Sequence, residues 1–457
     1  MNNIMKEKII IIGAGVSGLS LAVKLAEYGF DVHCIEASEQ TGGLAKTFRR
    51  DCYYFDVGPH SFFTEDQTIL SYVKDLLGKR LKAQPRKAKF HYNNRFLDYP
   101  FTIQTILFNM GLMANLKVGF SFLRQKLRPK IPLIGNETVK DWAINTFGYY
   151  LYRTFFKPYT EQFWGIACDQ LASRSIPSHT RMNFIHTCLL MFKKIGFWRS
   201  PASLMAREKL PTYYPDTGFG EICEQLMRQA QDLGVQFSLH SSVIGVNRAK
   251  ENTFLVDFLQ ADNKYHLSAN VVVSTIPLTS FVHTLSSFVP PKVIEATQQL
   301  EFRSLLLLAI VTEKQAILGS HYIYFLNRSY NRLSEMNEFS ILTSPDKDNI
   351  LVLEIPCYSQ SPLWNLTAEE LLEHCLDDLT QDGFLERSEV KKLFVERVPN
   401  AYPMYKKDYA ESLSKVQEFI NQQQNIYTLG RSGEYMYMDA DRCMQRAFKL
   451  ADEIHKK

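Results

Sequence analysis

Residues Lys8 to Gly43 read KIIIIGAGVSGLSLAVKLAEYGFDVHCIEASEQTGG, and this stretch decides the fold. It opens with an apolar run, Ile9 to Ile12, which is typical of a buried strand in a parallel sheet. The turn Gly13 to Gly18, GAGVSG, comes next, and apolar residues then recur at helical spacing. A second predicted strand, Asp31 to Ile35, ends just before Glu36. The order of strand, glycine turn, helix and strand predicts a βαβ unit.

The residues of the glycine turn have separate physical roles. Gly13 permits a tight turn, Gly15 lets a pyrophosphate approach the backbone, and Gly18 allows the helix to pack closely on the strand. Ser17 lies where the helix begins, and the N–H groups and partial positive charge of that helix end suit an anion. Glu36 is placed to accept hydrogen bonds from ribose hydroxyls. The pattern therefore predicts a dinucleotide site, in preference to a purely structural glycine turn.

Gly42, Gly43 and Thr47 extend this motif. With them the segment resembles the double-glycine fingerprint of the flavin amine oxidase superfamily, which includes protoporphyrinogen-oxidase-like proteins and UDP-galactopyranose mutases. The resemblance implies FAD as the cofactor, a distinction from NAD that the glycine spacing alone does not make. It also implies an α/β fold: a Rossmann-like FAD-binding domain with a parallel sheet, joined to a mixed α+β substrate domain with a helical cap.

A chain of 457 residues is too long for one simple core, so we expect two domains. The predicted FAD-binding domain is discontinuous and comprises residues 1–90, 212–285 and 400–457. Residues 91–211 and 286–399 then form the substrate domain with its helical cap.

Composition excludes several classes of function. A net charge of +4, from 52 basic and 48 acidic residues, is too small to indicate a nucleic-acid partner. The eight cysteines are scattered without metal-binding spacing, which predicts free thiols in a reducing compartment and no metal. No apolar run is long enough to span a bilayer, and Glu27 argues against a cleaved secretory signal. We therefore expect a cytoplasmic protein that acts on a small molecule.

Residues Tyr53 to His60 are predicted to form a strand that ends in a glycine turn. In the resembling family this segment passes close to the isoalloxazine ring, which gives Gly58 a role as flat backbone beside the flavin. His60 then becomes a candidate catalytic residue that hydrogen-bonds flavin or substrate. A turn histidine that faces solvent is an equally good interpretation.

Residues Phe155 to Leu171, FFKPYTEQFWGIACDQL, are similar to the KxYTxxxWG segment of the mutases. The resemblance implies that Tyr159 and Trp164 line the substrate site, and aromatic faces suit a uracil, a sugar or a planar tetrapyrrole. The alternative is that both side chains are buried and stabilise the cap. Ser178 stands where the mutases carry an active-site arginine, which counts against a galactopyranose mutase.

Two segments combine apolar and basic residues, Phe101 to Leu127 and His186 to Arg199. Core helices of an all-α subdomain are the preferred interpretation of the first segment, and helices of a cap over the substrate are an alternative. The first segment also fits a monotopic membrane patch, with apolar side chains among the headgroups and cations near anionic lipid. A cap helix with solvated lysines is the preferred interpretation of the second segment, which could instead border an anionic substrate or a membrane. Peripheral membrane contact is therefore an alternative that the sequence does not favour.

The resemblance continues to the C-terminal end. The turn Tyr214 to Gly220 resembles the point where the superfamily's chain returns to the FAD domain, and Val243 matches a valine whose backbone contacts the adenine. Residues 425–431, NIYTLGR, resemble the strand and turn that close the FAD site, with Gly430 and Arg431 beside the flavin. Arg431 is a candidate catalytic residue because its charge would lie beside an anionic reduced flavin. Asp439 and Asp441 are predicted either to cap the last helix or to bind ribityl hydroxyls.

Patterning predicts most of the remaining secondary structure. Helices are expected at Thr64–Leu77, at Glu221–Leu233 and at Thr367–Leu379, the last with a Thr367/Glu370 capping box. A hairpin is expected over Lys87–Pro100 with its turn at Asn93-Asn94. The other predictions are strands at Gly234–Phe237, Ser242–Val246, Thr253–Leu259, Tyr265–Leu267, Val271–Pro277, Leu305–Val311 and Ile350–Ile355, and a proline-rich turn at Val398–Tyr405.

Three functions follow from these features. The first is an FAD-dependent oxidoreductase that transfers a hydride from a small organic substrate to flavin N5, as protoporphyrinogen oxidases and amine oxidases do. The second is a flavin-dependent nucleotide-sugar mutase, in which the flavin acts as a nucleophile. The third, a flavin-binding partner without catalysis, accounts least well for the full set of motifs. The sequence names neither the substrate nor the oligomeric state.

Overall fold

The computed structural model describes residues 7–99, 111–127, 137–176, 211–250, 253–285, 287–345 and 347–457. The predictions for Ser178, for His186–Arg199 and for the first part of Phe101–Leu127 lie outside these residues. No helix in the described ranges is long and apolar enough to cross a bilayer.

The strands are numbered in chain order. They are β1 (Lys8–Ile12), β2 (Asp31–Ile35), β3 (Thr47–Arg50), β4 (Tyr53–Asp56), β5 (Leu81–Gln84), β6 (Ala88–Tyr92), β7 (Arg95–Tyr99), β8 (Thr212–Pro215), β9 (Gln236–Ser238), β10 (Ser241–Lys250), β11 (Thr253–Gln260), β12 (Asn263–Ala269), β13 (Val271–Ser274), β14 (Glu301–Thr312), β15 (Tyr322–Tyr324), β16 (Arg332–Glu335), β17 (Asn349–Cys357), β18 (Lys392–Met404) and β19 (Ile426–Thr428).

The longer helices are numbered in the same way. They are α1 (Val16–Glu27), α2 (Gln67–Leu77), α3 (Leu112–Lys126), α4 (Val139–Phe147), α5 (Lys157–Trp164), α6 (Glu221–Asp232), α7 (Leu278–Thr284), α8 (Pro291–Thr297), α9 (Ala368–Gln381), α10 (Tyr409–Asn421) and α11 (Ala440–His455). Short α-helical, π-helical and 3-10 segments complete the described helices: Gly43–Ala45, Gly78–Arg80, Tyr149–Leu151, Tyr152–Phe156, Ser173–Ser175, Met336–Phe339, Ile341–Thr343, Pro362–Asn365, Arg387–Glu389 and Gly430–Gly433.

A five-stranded parallel sheet contains the N-terminal motif. Its strand order is β19-β13-β1-β2-β9, and β1 pairs on one side with β13 and on the other with β2. The four isoleucines of β1 are almost fully buried, as expected for a central strand covered on both faces. Helix α1 connects β1 to the parallel strand β2 and packs against α6 and α11. The predicted βαβ unit is therefore confirmed.

A second, seven-stranded sheet has the order β18-β14-β17-β16-β15-β6-β7. Every pairing in it is antiparallel except that between β15 and β6. Strand β17 is buried along its whole length, and β14 is buried from Arg303 onward, so both lie at the centre of the core. The register places Arg332 of β16 directly opposite Glu354 of β17, which matters for the site described below.

A group of helices beyond this sheet matches the expected cap. Helices α3, α4 and α5 and the π-helical turn Tyr152–Phe156 share a hydrophobic cluster around Trp142, Phe147 and Trp164. Helix α5 contacts the second sheet through Arg303 of β14, whose Nε donates to the Phe163 carbonyl at 2.9 Å. The α/β fold with a parallel sheet, a mixed second sheet and a helical cap is thus the one the sequence predicts.

Predictions of turns and helix caps that depend on a few consecutive residues are confirmed. Asn93 and Asn94 have φ of 48° and 56° in the turn between β6 and β7. Thr367 and Glu370 form both hydrogen bonds of the capping box at the start of α9. Helix α2 begins at Gln67, later than predicted, because Asp66 is its N-cap and accepts from the backbone N–H groups of Thr68 and Ile69.

One local prediction is wrong. Val398–Tyr405 is not a proline-rich turn, since β18 continues through it to Met404. Strand β18 is an edge strand, where a proline costs no hydrogen bond on the solvent side. Asn400 has a positive φ of 54°, and the pairing with β14 shifts register between Arg303 and Leu305, but the strand continues past both irregularities.

Candidate active site

The glycine turn is shaped by close backbone approach. Gly13 has a φ of +98°, and a Cβ there would lie 2.4 Å from the Thr275 hydroxyl at the end of β13. A Cβ at Gly18 would lie 2.0 Å from the Gly13 carbonyl oxygen, so the first turn of α1 sits directly on the end of β1. Gly15 forms an isolated bridge with Gly42. The turn that contains Gly13 and Gly15 and the loop that contains Gly42 and Gly43 therefore lie side by side. We call the backbone of these two segments the cradle.

The C-terminal motif closes on this cradle from the other side. Gly430 has a φ of +85°, and a Cβ there would lie 2.3 Å from the Ser17 hydroxyl. A Cβ at Gly433 would approach the Ser274 carbonyl to 2.9 Å. The turn after β19 is therefore packed against both the start of α1 and the end of β13.

Glu36 ties the end of β2 to the glycine turn. Its Oε2 accepts from the Ala14 backbone N–H at 2.7 Å, and its Oε1 accepts from the backbone N–H and the hydroxyl of Ser38 at 2.9 and 2.6 Å. These bonds hold the carboxylate at the rim of the cradle. A carboxylate can accept further hydrogen bonds in this position, so the geometry fits the ribose contact that the sequence predicts.

A buried carboxylate fixes the second glycine loop. Asp56 is 1% exposed and accepts from the Thr47 hydroxyl at 2.5 Å, the Tyr214 hydroxyl at 2.7 Å and the Phe219 backbone N–H at 3.0 Å. Burial raises the pKa of Asp56 to about 6, although all three hydrogen bonds act in the opposite direction. The network joins β3 and β4 to the turn that returns from the cap, and Gly220 N–H donates to the same Thr47 hydroxyl.

A cavity of about 490 Å³ extends from the cradle toward the second sheet. At one end it is lined by the glycine turns, by Glu36 and by the start of α11. At the other end aromatic and basic side chains surround it, including Phe62, Tyr322, Tyr324, Tyr402, Tyr437, Arg86, Arg332 and Arg431. One end of this cavity offers backbone N–H groups to a phosphate, and the other offers aromatic side chains to a flat ring. The cavity therefore fits a dinucleotide that carries a planar ring system.

Arg332 and Glu354 form an ion pair at the aromatic end of the cavity. The guanidinium binds the carboxylate in a bidentate manner at 2.5 and 2.6 Å, and Glu354 is 2% exposed. The pair stands against Gly58, where a Cβ would lie 3.1 Å from Glu354 and 3.2 Å from Arg332. Gly58, which the resemblance predicts beside the flavin, is thus also required for close approach to this ion pair.

Arg431 and His60 each hold a polar atom without a partner. The Arg431 guanidinium lies over the rings of Tyr402 at 4.8 Å and Tyr437 at 4.3 Å, and its buried Nε makes no hydrogen bond. The buried Nδ1 of His60 likewise has no partner. Burial, together with Arg332 and Arg431, lowers the pKa of His60 to about 3, so its imidazole is neutral at physiological pH.

Tyr159 and Trp164 lie behind the aromatic end of the cavity. Tyr159 meets Tyr324 edge to face at 5.9 Å, and Trp164 meets Tyr402 in the same way at 6.5 Å. Neither side chain is part of the cavity wall, and Trp164 is 8% exposed. Both therefore support residues that line the cavity, which favours the buried-aromatic alternative; direct substrate contact stays a prediction.

The predicted cofactor-binding and catalytic residues fall into three groups by their distance from the cavity wall. The cavity wall contains Gly13, Gly15, Ser17, Glu36, Gly42, Gly43, His60, Arg431 and Asp439. Gly18, Gly58 and Gly430 lie just behind this wall and act through close packing, whereas Val243 lies on β10 away from it. Asp439 occupies the N-cap position of α11, but its side chain makes no capping hydrogen bond.

Sequence reasoning missed several residues at the aromatic end. Arg86 donates from Nε and from one terminal nitrogen to the Tyr322 hydroxyl, at 3.0 and 2.8 Å. Arg332, Tyr324 and Tyr402 were missed as well. Each lies on or beside a strand of the second sheet, in a segment without a recognisable motif. The available signal was the alternation of apolar and polar residues along those strands. It shows which face of the sheet is buried but not which face meets a cofactor.

The residues present fit a bound FAD. The backbone cradle at the N-terminus of α1 suits the pyrophosphate, and Glu36 suits the ribose. At the other end, the unpartnered Nε of Arg431 and Nδ1 of His60 are polar atoms that an isoalloxazine ring or substrate would satisfy. The seven described cysteines are all free, and the described residues contain no cluster of metal ligands.

Comparison with known families agrees with this geometry. The family model for flavin-containing amine oxidoreductases matches residues 16–422. That match confirms the predicted superfamily and the predicted FAD cofactor.

Solved structures show the same fold. A reduced UDP-galactopyranose mutase superposes with a TM-score of 0.80 at 18% identity, over 98% of this chain and 95% of that one. A candidate protoporphyrinogen oxidase from Exiguobacterium sp. 255-15 gives a TM-score of 0.74 at 17% identity, over 98% and 99% of the two chains.

Curated relatives are matched over part of their length. A candidate UDP-galactopyranose mutase of Klebsiella pneumoniae is 28% identical over 37% of this chain and 44% of its own length. The carotenoid 3,4-desaturase of Haloarcula japonica is 25% identical over 58% of this chain and 55% of its own. The chain thus spans about half the length of these relatives, which carry out different reactions.

Proposed function

The chain belongs to the flavin-containing amine oxidoreductase family, and from that premise we propose that it is an FAD-dependent oxidoreductase whose substrate is an organic anion. FAD, when bound, supplies the acceptor for a hydride at N5. The chain's own residues bind and orient the substrate, exclude water and balance charge.

The arginines at the aromatic end carry the proposal. Arg332 is neutralised by Glu354, but within the described residues neither Arg86 nor Arg431 has a carboxylate at ion-pair distance. His60 is neutral and adds no negative charge. A protonated amine about 5 Å from one of these guanidinium groups would be repelled by about 3 kcal/mol at an effective dielectric constant of about 20. A carboxylate or phosphate would be attracted by a similar amount.

The same residues have further roles in this proposal. Tyr322, Tyr324 and Tyr402 offer flat faces against which a planar substrate can pack. Arg431 would hold a positive charge beside the cofactor site, where it would stabilise negative charge on reduced FAD. His60 acts as a neutral hydrogen-bonding group, since its pKa of about 3 excludes an imidazolium at working pH.

We also propose that the chain divides into an FAD-binding domain and a substrate domain, nearly as the sequence predicts. All five strands of the parallel sheet come from residues 1–90, 212–285 and 400–457, the three segments expected to hold FAD. Two predicted boundaries, 90/91 and 399/400, fall inside β6 and β18. Both strands belong to the second sheet, so we place the division before Ala88 and after Met404.

A flavin-dependent nucleotide-sugar mutase is the second candidate. The observations that favour it are the TM-score of 0.80 to a reduced UDP-galactopyranose mutase and the position of Tyr159 and Trp164 around the aromatic end. The diphosphate of a nucleotide sugar would meet the same arginines. The mutase arginine position, Ser178 here, lies outside the described residues.

One experiment separates the two candidates. The holoenzyme is reduced without oxygen and divided between air-saturated buffer and anaerobic UDP-galactopyranose. The oxidoreductase proposal predicts reoxidation by oxygen or by a quinone or other added acceptor, with no interconversion of the sugar rings. Ring interconversion by the reduced enzyme, with no net oxidation, would establish the mutase in its place.

A further inference from the structure

Helix α3 exposes a continuous apolar stripe. Its large apolar side chains Met113, Leu116, Phe120 and Leu123, with Leu127 at the C-cap, are between 58% and 78% exposed. Their spacing of three and four residues places them on one face of the helix. We call these five residues the α3 stripe. Single exposed apolar residues are common on protein surfaces, but five on one helix face form a patch.

The other face of α3 is fixed to the cap. Val118 is 8% exposed in the cap cluster, and the Ser121 hydroxyl accepts from the Tyr150 backbone N–H at 2.9 Å. Gln125 donates to the Asn145 side chain at 2.9 Å. These contacts set the rotation of the helix, so the α3 stripe points away from the rest of the cap.

Positive charge borders the stripe. Lys117 and Arg124 are exposed, and at 100° per residue they lie 20–40° from Met113 on one border of the stripe. The sequence of the helix, LMANLKVGFSFLRQK, contains no acidic residue. An apolar stripe bordered by cations is typical of a surface that lies in the headgroup region of a membrane.

We propose that the α3 stripe docks this protein on the surface of an anionic lipid bilayer, as a peripheral contact in the plane of the headgroups. The sequence alone favoured ordinary core helices over a membrane patch in this segment, and the exposure of all five apolar side chains reverses that preference. Charge decides between lipid and a second copy of the chain. A symmetric dimer through this face would bring two copies of the same cationic border together, whereas anionic headgroups neutralise it.

Vesicle flotation of the FAD-loaded, full-length protein tests the proposal. The probes are phosphatidylcholine vesicles with and without phosphatidylglycerol, and binding is expected only when the anionic lipid is present and should weaken as salt is raised. The double variant Phe120→Glu with Leu123→Glu should lower the partition coefficient by about tenfold or more, because two apolar side chains leave the interface. Lys117→Gln and Arg124→Gln should each lower it by about fivefold.

A matched control uses an equally exposed apolar pair elsewhere. Ile341 and Leu342 are 79% and 54% exposed on a separate short helix, so Ile341→Glu with Leu342→Glu adds the same charges and should leave partitioning within about twofold of wild type. Full flavin absorbance and an unchanged melting temperature show that each variant is folded. Failure of the wild-type protein to bind anionic vesicles would overturn the proposal. So would a dimer, seen by sedimentation, that dissociates in the Phe120→Glu, Leu123→Glu variant.

Discussion

Substituting Gly18 with alanine should displace the first turn of α1 from the sheet. Alanine is normally the better helix former by about 0.5–1 kcal/mol, so a simple propensity argument predicts stabilisation. The structure predicts the opposite, because the new Cβ would lie 2.0 Å from the Gly13 carbonyl oxygen. That atom belongs to the backbone at the end of β1 and cannot rotate away.

The size of the effect follows from the overlap. A carbon and a carbonyl oxygen in contact are about 3.3 Å apart, so relief of the clash needs a shift of about 1.3 Å. Overpacking of this kind costs about 1–3 kcal/mol, so after subtraction of the propensity gain of about 0.5–1 kcal/mol the net loss of stability is up to about 2.5 kcal/mol. The shift also moves the N–H groups of the helix N-terminus, which we propose bind the FAD pyrophosphate. Charge-assisted hydrogen bonds contribute about 1.5–3 kcal/mol each, so FAD affinity should fall by about tenfold or more.

Gly119 provides the matched control. It too lies inside a helix, α3, but a Cβ there would meet nothing within 4 Å. Gly119→Ala should therefore raise the melting temperature slightly and leave FAD affinity unchanged. Thermal melting by circular dichroism and FAD titration by fluorescence quenching measure both properties. If Gly18→Ala kept the melting temperature and the FAD affinity of the wild-type protein, the close packing described for the glycine turn would be refuted.

Three further predictions concern buried groups around the site. Asp56 has its pKa raised from 3.8 to about 6, so the folded state binds a proton that the unfolded state releases, and stability falls by up to about 3 kcal/mol as pH rises from 4 to 6. Asp56→Asn should flatten that part of the melting-temperature profile. The His60 ring should show no titration between pH 5 and 8 by nitrogen NMR, since its pKa is lowered to about 3. Gly430→Ala should weaken FAD binding by about tenfold, and Ser17→Gly in the same chain should restore part of it, because a Cβ at Gly430 meets the Ser17 hydroxyl at 2.3 Å.

Each of these predictions has a contradicting result. An unchanged slope for Asp56→Asn between pH 4 and 6 would show that the wild-type carboxyl titrates normally. A His60 midpoint near 6.5 would place the imidazole in contact with solvent. No recovery in the Ser17→Gly, Gly430→Ala double variant would mean that backbone strain at the positive φ, and not the contact with Ser17, governs the loss.

The part of the site built from contiguous residues could be predicted from the sequence. Gly13, Gly15 and Glu36 lie within one short stretch, and their roles depend on local turn geometry that a spacing pattern specifies. The turn after β19 could be recognised for the same reason. Its contact with Ser17 could not, because that contact joins residues more than 400 positions apart.

The aromatic end of the cavity depends on strand register and was beyond sequence reasoning. Arg332 meets Glu354 only because β16 and β17 pair in one register, and Arg86 meets Tyr322 across 236 positions of sequence. The same cause explains the error at Val398–Tyr405. Prolines indicate a turn by propensity, yet an edge strand of a large sheet accommodates them.

Arg86 and Arg431, which have no carboxylate at ion-pair distance among the described residues, are proposed to select an anionic substrate for oxidation. The most direct test mixes the oxidised holoenzyme, without oxygen, with a carboxylated porphyrinogen and with a primary amine, and follows the flavin absorbance band. The account predicts rapid bleaching by the carboxylated compound, no bleaching by the amine, and at least about a tenfold slower reaction in Arg86→Gln at low substrate concentration. Bleaching by the amine alone, at the same rate in the wild-type and Arg86→Gln proteins, would contradict it.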